Sequence, residues 1–310
     1  MRFVFVAALA LAFATSAHAD TRVTYKSAKA GSSYYQMAVQ LAEAMPAEID
    51  LTVEESQGSV QNVMEALARG ADYVFTSPPS LVALAKDGKA MFKDRANPKF
   101  AEIRALFPIP SLTMHFVVRA DHDVKSLGDL AGKTILLGKG SFGAREGQKY
   151  IEMFGLADKV DIADAELSNA VAALRNGQID AFVTAGSFPA PNVVEAAAGA
   201  GVTVISLTDD QVAQTKRTRL VIPSGTYPGQ DEEVVTTSLP VVAYATSAMD
   251  DDTAYALTKS YWEQKEALGD AARWWNGVTP DFLANITGSI HPGALRYYDE
   301  IGVSVPDGAR

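Results

Sequence analysis

Short strand-like runs alternate with helix-like runs along most of this chain, and that alternation restricts the fold more than any other feature. The strand-like runs lie at residues 23–28, 51–56, 73–77, 115–120, 134–138, 180–185 and 202–207. Between them the apolar spacing changes to the helical period. Met37, Leu41 and Met45 share a face, as do Val60, Met64 and Leu67, and Ala170, Val171 and Leu174. Alternation of this kind builds βαβ units, with parallel strands covered by helices on both faces, so the expected class is α/β. One pattern occurs twice: ARGADYVFT (68–76) and LRNGQIDAFVT (174–184) each read as a helix end, a glycine cap and an Asp-led strand ending in Thr. The repetition predicts two lobes of similar plan. Ligands of open α/β sheets sit beyond the carboxyl ends of the strands, which places the expected site in a cleft between the lobes.

The N-terminus carries a different signal. Arg2 precedes an apolar stretch at 3–13, and Ala17-His18-Ala19 has the form of a cleavage site. The stretch falls well short of the roughly 20 residues that a spanning helix needs. The reading is a secretory signal over 1–19, cleaved after Ala19, and a periplasmic protein. The absence of cysteine removes disulfides, thiolate catalysis and Cys-bound zinc. A net charge of −10 argues against nucleic acid or an anionic membrane surface as partner, although a pocket of opposite local field is compatible with it.

The glycine-rich stretch ILLGKGSFGARE (135–146) places G-x-G-x-x-G directly after a strand. A dinucleotide site needs this motif in the first βα turn with an acid about 20 residues on, and here it lies mid-chain. A kinase lid needs V-A-I-K, H-R-D and D-F-G partners, none of which occurs. What remains is a strand ending at Gly138 and a helix starting near Gly143, whose first N–H groups attract negative charge. Ser141 adds a hydroxyl, and Arg145 is either a bidentate carboxylate grip or a solvated side chain. The same arrangement follows three other strands, at GSSYY (31–35), GSVQN (58–62) and SPP (77–79). Each reads as an ordinary helix cap or as a ligand contact; four on the same side favour convergence on one anion.

No catalytic constellation emerges. His115, His122 and His291 lack metal-ligand spacing, there is no G-x-S-x-G elbow, and no Ser/His/Asp set stands out. The expectation is a binding protein and not an enzyme, with no metal and no cofactor. The acids at 209–210 and 250–252 read as helix N-terminal partners, and Trp262, Trp274 and Trp275 as packing.

With GSSYY and GSVQN, the segments HFVVRA (115–120), DLAGK (129–133), GQIDA (177–181), IPSGTYPGQD (222–231) and HPGALRYY (291–298) occur in an order that is similar to the substrate-binding proteins of TAXI-type tripartite ATP-independent periplasmic (TRAP) transporters. The resemblance runs nearly end to end. It implies a two-lobed type II periplasmic-binding-protein fold, each lobe a mostly parallel sheet flanked by helices. The chain would cross between lobes near 115–120 and 234–242, giving lobe I over 20–120 plus 234–310 and lobe II over 121–233. The implied ligand is a small organic anion, a carboxylate such as glutamate or 2-oxoglutarate. The implied mechanism is capture by lobe closure and delivery to the membrane subunits of a sodium-coupled TRAP transporter by a monomeric receptor. Competing readings are a binding protein for an ATP-driven importer of a sulfonate or similar anion, a sensor input module, and an exported lyase or hydrolase. The candidate ligand-binding residues are Ser32, Ser33, Tyr34, Ser59, Val60 and Ser77 from the first lobe. From the second come Ser141, Phe142, Gly143, Ala144, Arg145, Thr184 and Ser187. His115, at a crossing, is a ligand donor or a hinge brace. The family loop reads like G-S-G-T-R; here GSFGAR (140–145) puts Phe142 in place of a small residue and moves the Arg one place on, a rotation of about 100° on a helix.

Overall fold

The computed structural model describes residues 21–139 and 142–310. The signal-like segment 1–19 and Ser141 lie outside the described residues, as does the side chain of Phe142. The chain begins β1 (Thr21–Lys26), α1 (Ser33–Ala44), β2 (Ile49–Glu54), α2 (Ser59–Glu65), β3 (Tyr73–Ser77) and α3 (Pro79–Lys86), followed by the long strand β4 (Ile103–Arg119). It continues through β5 (Thr134–Leu136), α4 (Phe142–Met153), β6 (Asp161–Ile162), α5 (Ala170–Arg175), β7 (Ala181–Gly186), α6 (Pro191–Ala200), β8 (Val202–Val204), α7 (Asp209–Thr215) and β9 (Thr218–Ile222). A second long strand, β10 (Val234–Thr246), precedes α8 (Asp251–Glu263), α9 (Lys265–Ala271) and α10 (Pro292–Glu300).

The strands form a continuous sheet in the order β2-β1-β3-β10-β4-β7-β5-β6, with β8 added to β4 and β9 to β10. β1 is parallel to β2 and β3, and β5 is parallel to β6 and β7. Between these two parallel groups run β4 and β10, antiparallel to one another. Their partners change along their length. The C-terminal part of β10 pairs with β3 and its N-terminal part with β9; the C-terminal part of β4 pairs with β7 and β8. One pair of strands thus belongs to both halves, which makes a two-lobed α/β molecule from one sheet.

β4 reaches much further back than the strand read at 115–120. Pro108 and Pro110 conceal the earlier part, because proline removes a ladder donor and argues against a central strand. The structure accommodates them through their carbonyls: Tyr261 donates to the Pro108 oxygen (2.7 Å) and Tyr34 to the Pro110 oxygen (3.0 Å). The β4–β10 register shifts between Leu239 and Val241, so the missing bonds of Pro240 and Pro110 fall together at the junction of the halves.

Most of the core is one cluster that spans both halves, with a smaller cluster around Phe182, Leu174 and Ile222. β3 is buried at every position, and Phe75 stacks between Tyr73 and Tyr244 at 5.4 and 5.7 Å. Asn62, fully buried in α2, donates through Nδ2 to the carbonyls of Ser27 (2.7 Å) and Thr76 (3.0 Å). One amide thereby ties a helix start to the ends of β1 and β3.

Candidate functional site

A cavity of about 360 Å³ opens where the carboxyl ends of the parallel strands meet, between the two groups of strands. Leu112 of β4 and Val241 of β10 contribute to its lining from the crossing pair. Segments following β1, β2 and β3 line it from one half, and segments following β5 and β7 from the other. Five helices begin there. α1 opens at Ser32 and Ser33, α2 at Gly58 and Ser59, α3 at Pro78, α4 at Gly143 and Ala144, and α6 at Ala190, Pro191 and Asn192. The first N–H groups of any α-helix have no intrahelical acceptor, and the aligned peptides leave partial positive charge at that end. The five ends are not equivalent. Ser32 caps α1 by accepting from the Tyr35 N–H (3.2 Å), whereas α2 begins at Gly58, with φ of 115° and no side-chain cap. α3 starts on Pro78 and Pro79, which have no N–H to offer.

Of the candidates read from the sequence, Ser32, Ser33, Tyr34, Ser59, Gly143, Ala144 and Thr184 line this cavity. Val60 packs against the main core beside Ser59. Ser77 is buried at the end of β3, its hydroxyl donating to the Pro78 carbonyl (3.3 Å). Arg145 is exposed and off the lining. Ser187 is buried at the crossing: its N–H donates to Ser33 Oγ (3.1 Å) and its hydroxyl to the Ser111 carbonyl (2.9 Å). Ser33 therefore lines the cavity and also joins the two halves. Gly186 permits this approach, since a Cβ there would lie 2.5 Å from Ser33 Oγ. Tyr34 directs its hydroxyl to Pro110, and burial raises its pKa well above the ordinary value, so it remains a donor.

His115 is completely buried and away from the lining. Nδ1 lies 3.1 Å from the Thr113 carbonyl, which can only accept, so Nδ1 carries the proton. Nε2 then accepts the Tyr227 hydroxyl proton at 2.7 Å, and the Tyr227 oxygen accepts the Ala190 N–H at 3.0 Å. Burial pushes the imidazole pKa down to about 4, outweighing its backbone hydrogen bonds. This neutral, fully satisfied chain runs from β4 through the 222–231 segment to the start of α6. The ring joins β4 to the start of α6 through Tyr227, as a brace would, and lies off the cavity lining.

The sequence reading missed several lining residues. Lys29 and Glu166 form an ion pair of 2.7 Å between the segment after β1 and the segment before α5, and both face the cavity. Lys139 also lines it and pairs with Asp164 at 2.6 Å. Asn192 donates to Thr184 Oγ1 (3.1 Å), and Glu195 stands one turn further along α6. The start of α6 had a visible signal, Pro-Asn just after an Asp-led strand, since proline suits the first helical position. The charged pairs had none, because they join segments far apart in the chain.

α4 is held in place by a buried carboxylate. Glu146, 1% exposed, takes Arg217 (2.7 Å) and Lys149 (2.6 Å), which anchors the helix to the start of β9. Gly143 lets its first turn settle on β7, where a Cβ would fall 2.6 Å from Ala185 Cβ.

A family model described as the NMT1-like family matches residues 26–302. Among solved structures, the chain is similar to MatC from Rhodopseudomonas palustris with bound malate, at 12% identity and a TM-score of 0.57, with 91% of this chain and 97% of that chain covered. It is also similar to the periplasmic binding protein BugD, at 12% identity and a TM-score of 0.54, with 93% and 99% covered. At such identities the likeness is one of fold, the two-lobed type II periplasmic-binding-protein architecture.

Proposed function

The chain belongs to the NMT1-like family, and on that premise we propose that it is an extracytoplasmic solute receptor that captures a small organic anion by lobe closure. It acts as a monomer in the periplasm, carries out no chemistry on its ligand, and delivers it to the membrane subunits of a TAXI-type, sodium-coupled TRAP transporter. Lobe I comprises 20–120 with 234–310 and lobe II 121–233, with β4 and β10 forming the passage between them. The observation that carries this reading is the convergence of helix N-termini from both halves on one cavity of about 360 Å³. Partial positive charge from several directions suits an anion, and because the donors come from both lobes, a bound anion favours the closed arrangement over the open one.

Ser59→Asp tests the anion seat. An acid at the first position of α2 favours the helix, so the fold is retained, while its carboxylate occupies the field meant for the ligand. A thermal-shift screen of organic anions should find ligands that raise the melting temperature of the wild type. Against those ligands, calorimetry on Ser59→Asp should show affinity reduced by about tenfold or more. Unchanged affinity would remove the seat.

A further inference from the structure

The charges around the cavity define what kind of anion it accepts. Building on the receptor reading above, we infer that the ligand is a monoanion with an apolar body, and not a dicarboxylate of the kind the sequence resemblance implied. No arginine occurs among the described residues that line the cavity. Its two lysines each have a carboxylate at salt-bridge distance: Lys29 has Glu166 at 2.7 Å, and Lys139 has Asp164 at 2.6 Å. Glu195 adds a further acid to the lining. Side-chain charge near the cavity therefore does not sum to a positive excess, and the attraction for an anion comes from peptide dipoles at helix starts.

Such dipoles hold one anionic group well, because their field falls off within the first turn. Where the helix starts converge on one anionic group, a second carboxylate held away from them on the same ligand lies beyond that reach. There it meets Leu112, Leu137, Val171, Val183 and Val241, or the acids Glu166 and Glu195. The first set would desolvate the charge without pairing it, and the second would repel it. An alkyl or aromatic body placed against the same five aliphatic side chains gains from leaving water. Glu166 and Glu195 thus act as specificity-determining residues that exclude a second negative end.

Calorimetry with three probes of equal chain length, hexanoate, adipate and hexanamide, separates the possibilities. The expected order is hexanoate tighter than adipate by about tenfold or more, and tighter than hexanamide. Adipate binding as well as hexanoate or better overturns the monoanion inference and leaves the anion receptor standing. Hexanamide binding as well as hexanoate overturns the anion seat itself, and binding by none of the three at millimolar concentration overturns both. The double variant Glu166→Gln/Glu195→Gln should narrow the hexanoate-to-adipate ratio by about fivefold or more, as the repulsion is removed and Lys29 is released. A ratio unchanged from wild type would show that these acids do not set the preference.

Discussion

His115 illustrates how a single side chain acquires its role from partners that are remote in the chain. Its ring is saturated by Thr113, two residues away, and by Tyr227, 112 residues away. Seen alone, a histidine in HFVVRA is equally compatible with a ligand contact and a brace. The Gly-Thr-Tyr-Pro-Gly-Gln-Asp segment, prominent as a motif, supplies the tyrosine that occupies its second nitrogen. The buried neutral ring also makes a pH prediction. Its pKa is about 4 in the fold against 6.5 for a solvated histidine, so between these values the unfolded chain binds the extra proton. The contribution is complete above pH 6.5 and lost as pH falls toward 4, about 3 kcal/mol over the whole window. Urea midpoints measured across that range should fall with acid, and His115→Gln should fall less steeply. Parallel slopes would mean that the ring is protonated in the fold.

Elements are legible where local periodicity and capping agree, and obscured where proline breaks the pattern. The acids at 250–252 open α8 as read: Asp250 caps it by accepting the Thr253 N–H at 2.8 Å, and that hydrogen bond holds its carboxyl below the usual range. Trp274 and Trp275, read as packing, also direct both indole N–H groups to Gln40 Oε1, at 3.2 and 2.8 Å. The His-Pro-Gly-Ala segment proves to be a helix start with a packing constraint. His291 donates from Nε2 to the Met249 carbonyl (3.0 Å) and accepts the Gly293 N–H at Nδ1 (3.3 Å). Gly293 then lies so close to α8 that a Cβ would collide with the Asp251 carbonyl and come within 2.8 Å of the Tyr255 nitrogen. Gly293→Ala should therefore force α10 away from α8 and cost about 2 kcal/mol or more, seen as a lowered denaturation midpoint. A midpoint equal to wild type would show that the two helices separate freely.

Across the whole protein, the two halves are joined by more than the crossing strands. The Lys29–Glu166 pair and the Ser33–Ser187 hydrogen bond link them at the cavity itself. The ion pair is partly exposed, with side-chain exposures of 29% and 38%, so its worth is at most about 1 kcal/mol after solvent screening. In the receptor proposed above, that is enough to shift an equilibrium between open and closed arrangements by about fivefold. Small-angle scattering of ligand-free Lys29→Gln should give a larger radius of gyration than wild type, with the difference shrinking as salt is added to both. Equal radii at low salt would assign no closing role to the pair.

Local sequence sufficed for the α/β class, the order of most elements and the four helix starts at 32–35, 58–60, 77–79 and 143–144, because backbone preference and apolar period depend on residues a few positions apart. Only the folded chain reveals that a fifth helix start joins them, that Arg145 stays off the lining while Lys29 and Glu166 meet across 137 residues, and that Thr113 and Tyr227 saturate the His115 ring away from the lining. Charge pairing and cavity shape depend on which distant segments the two long strands bring together, and no local pattern encodes that.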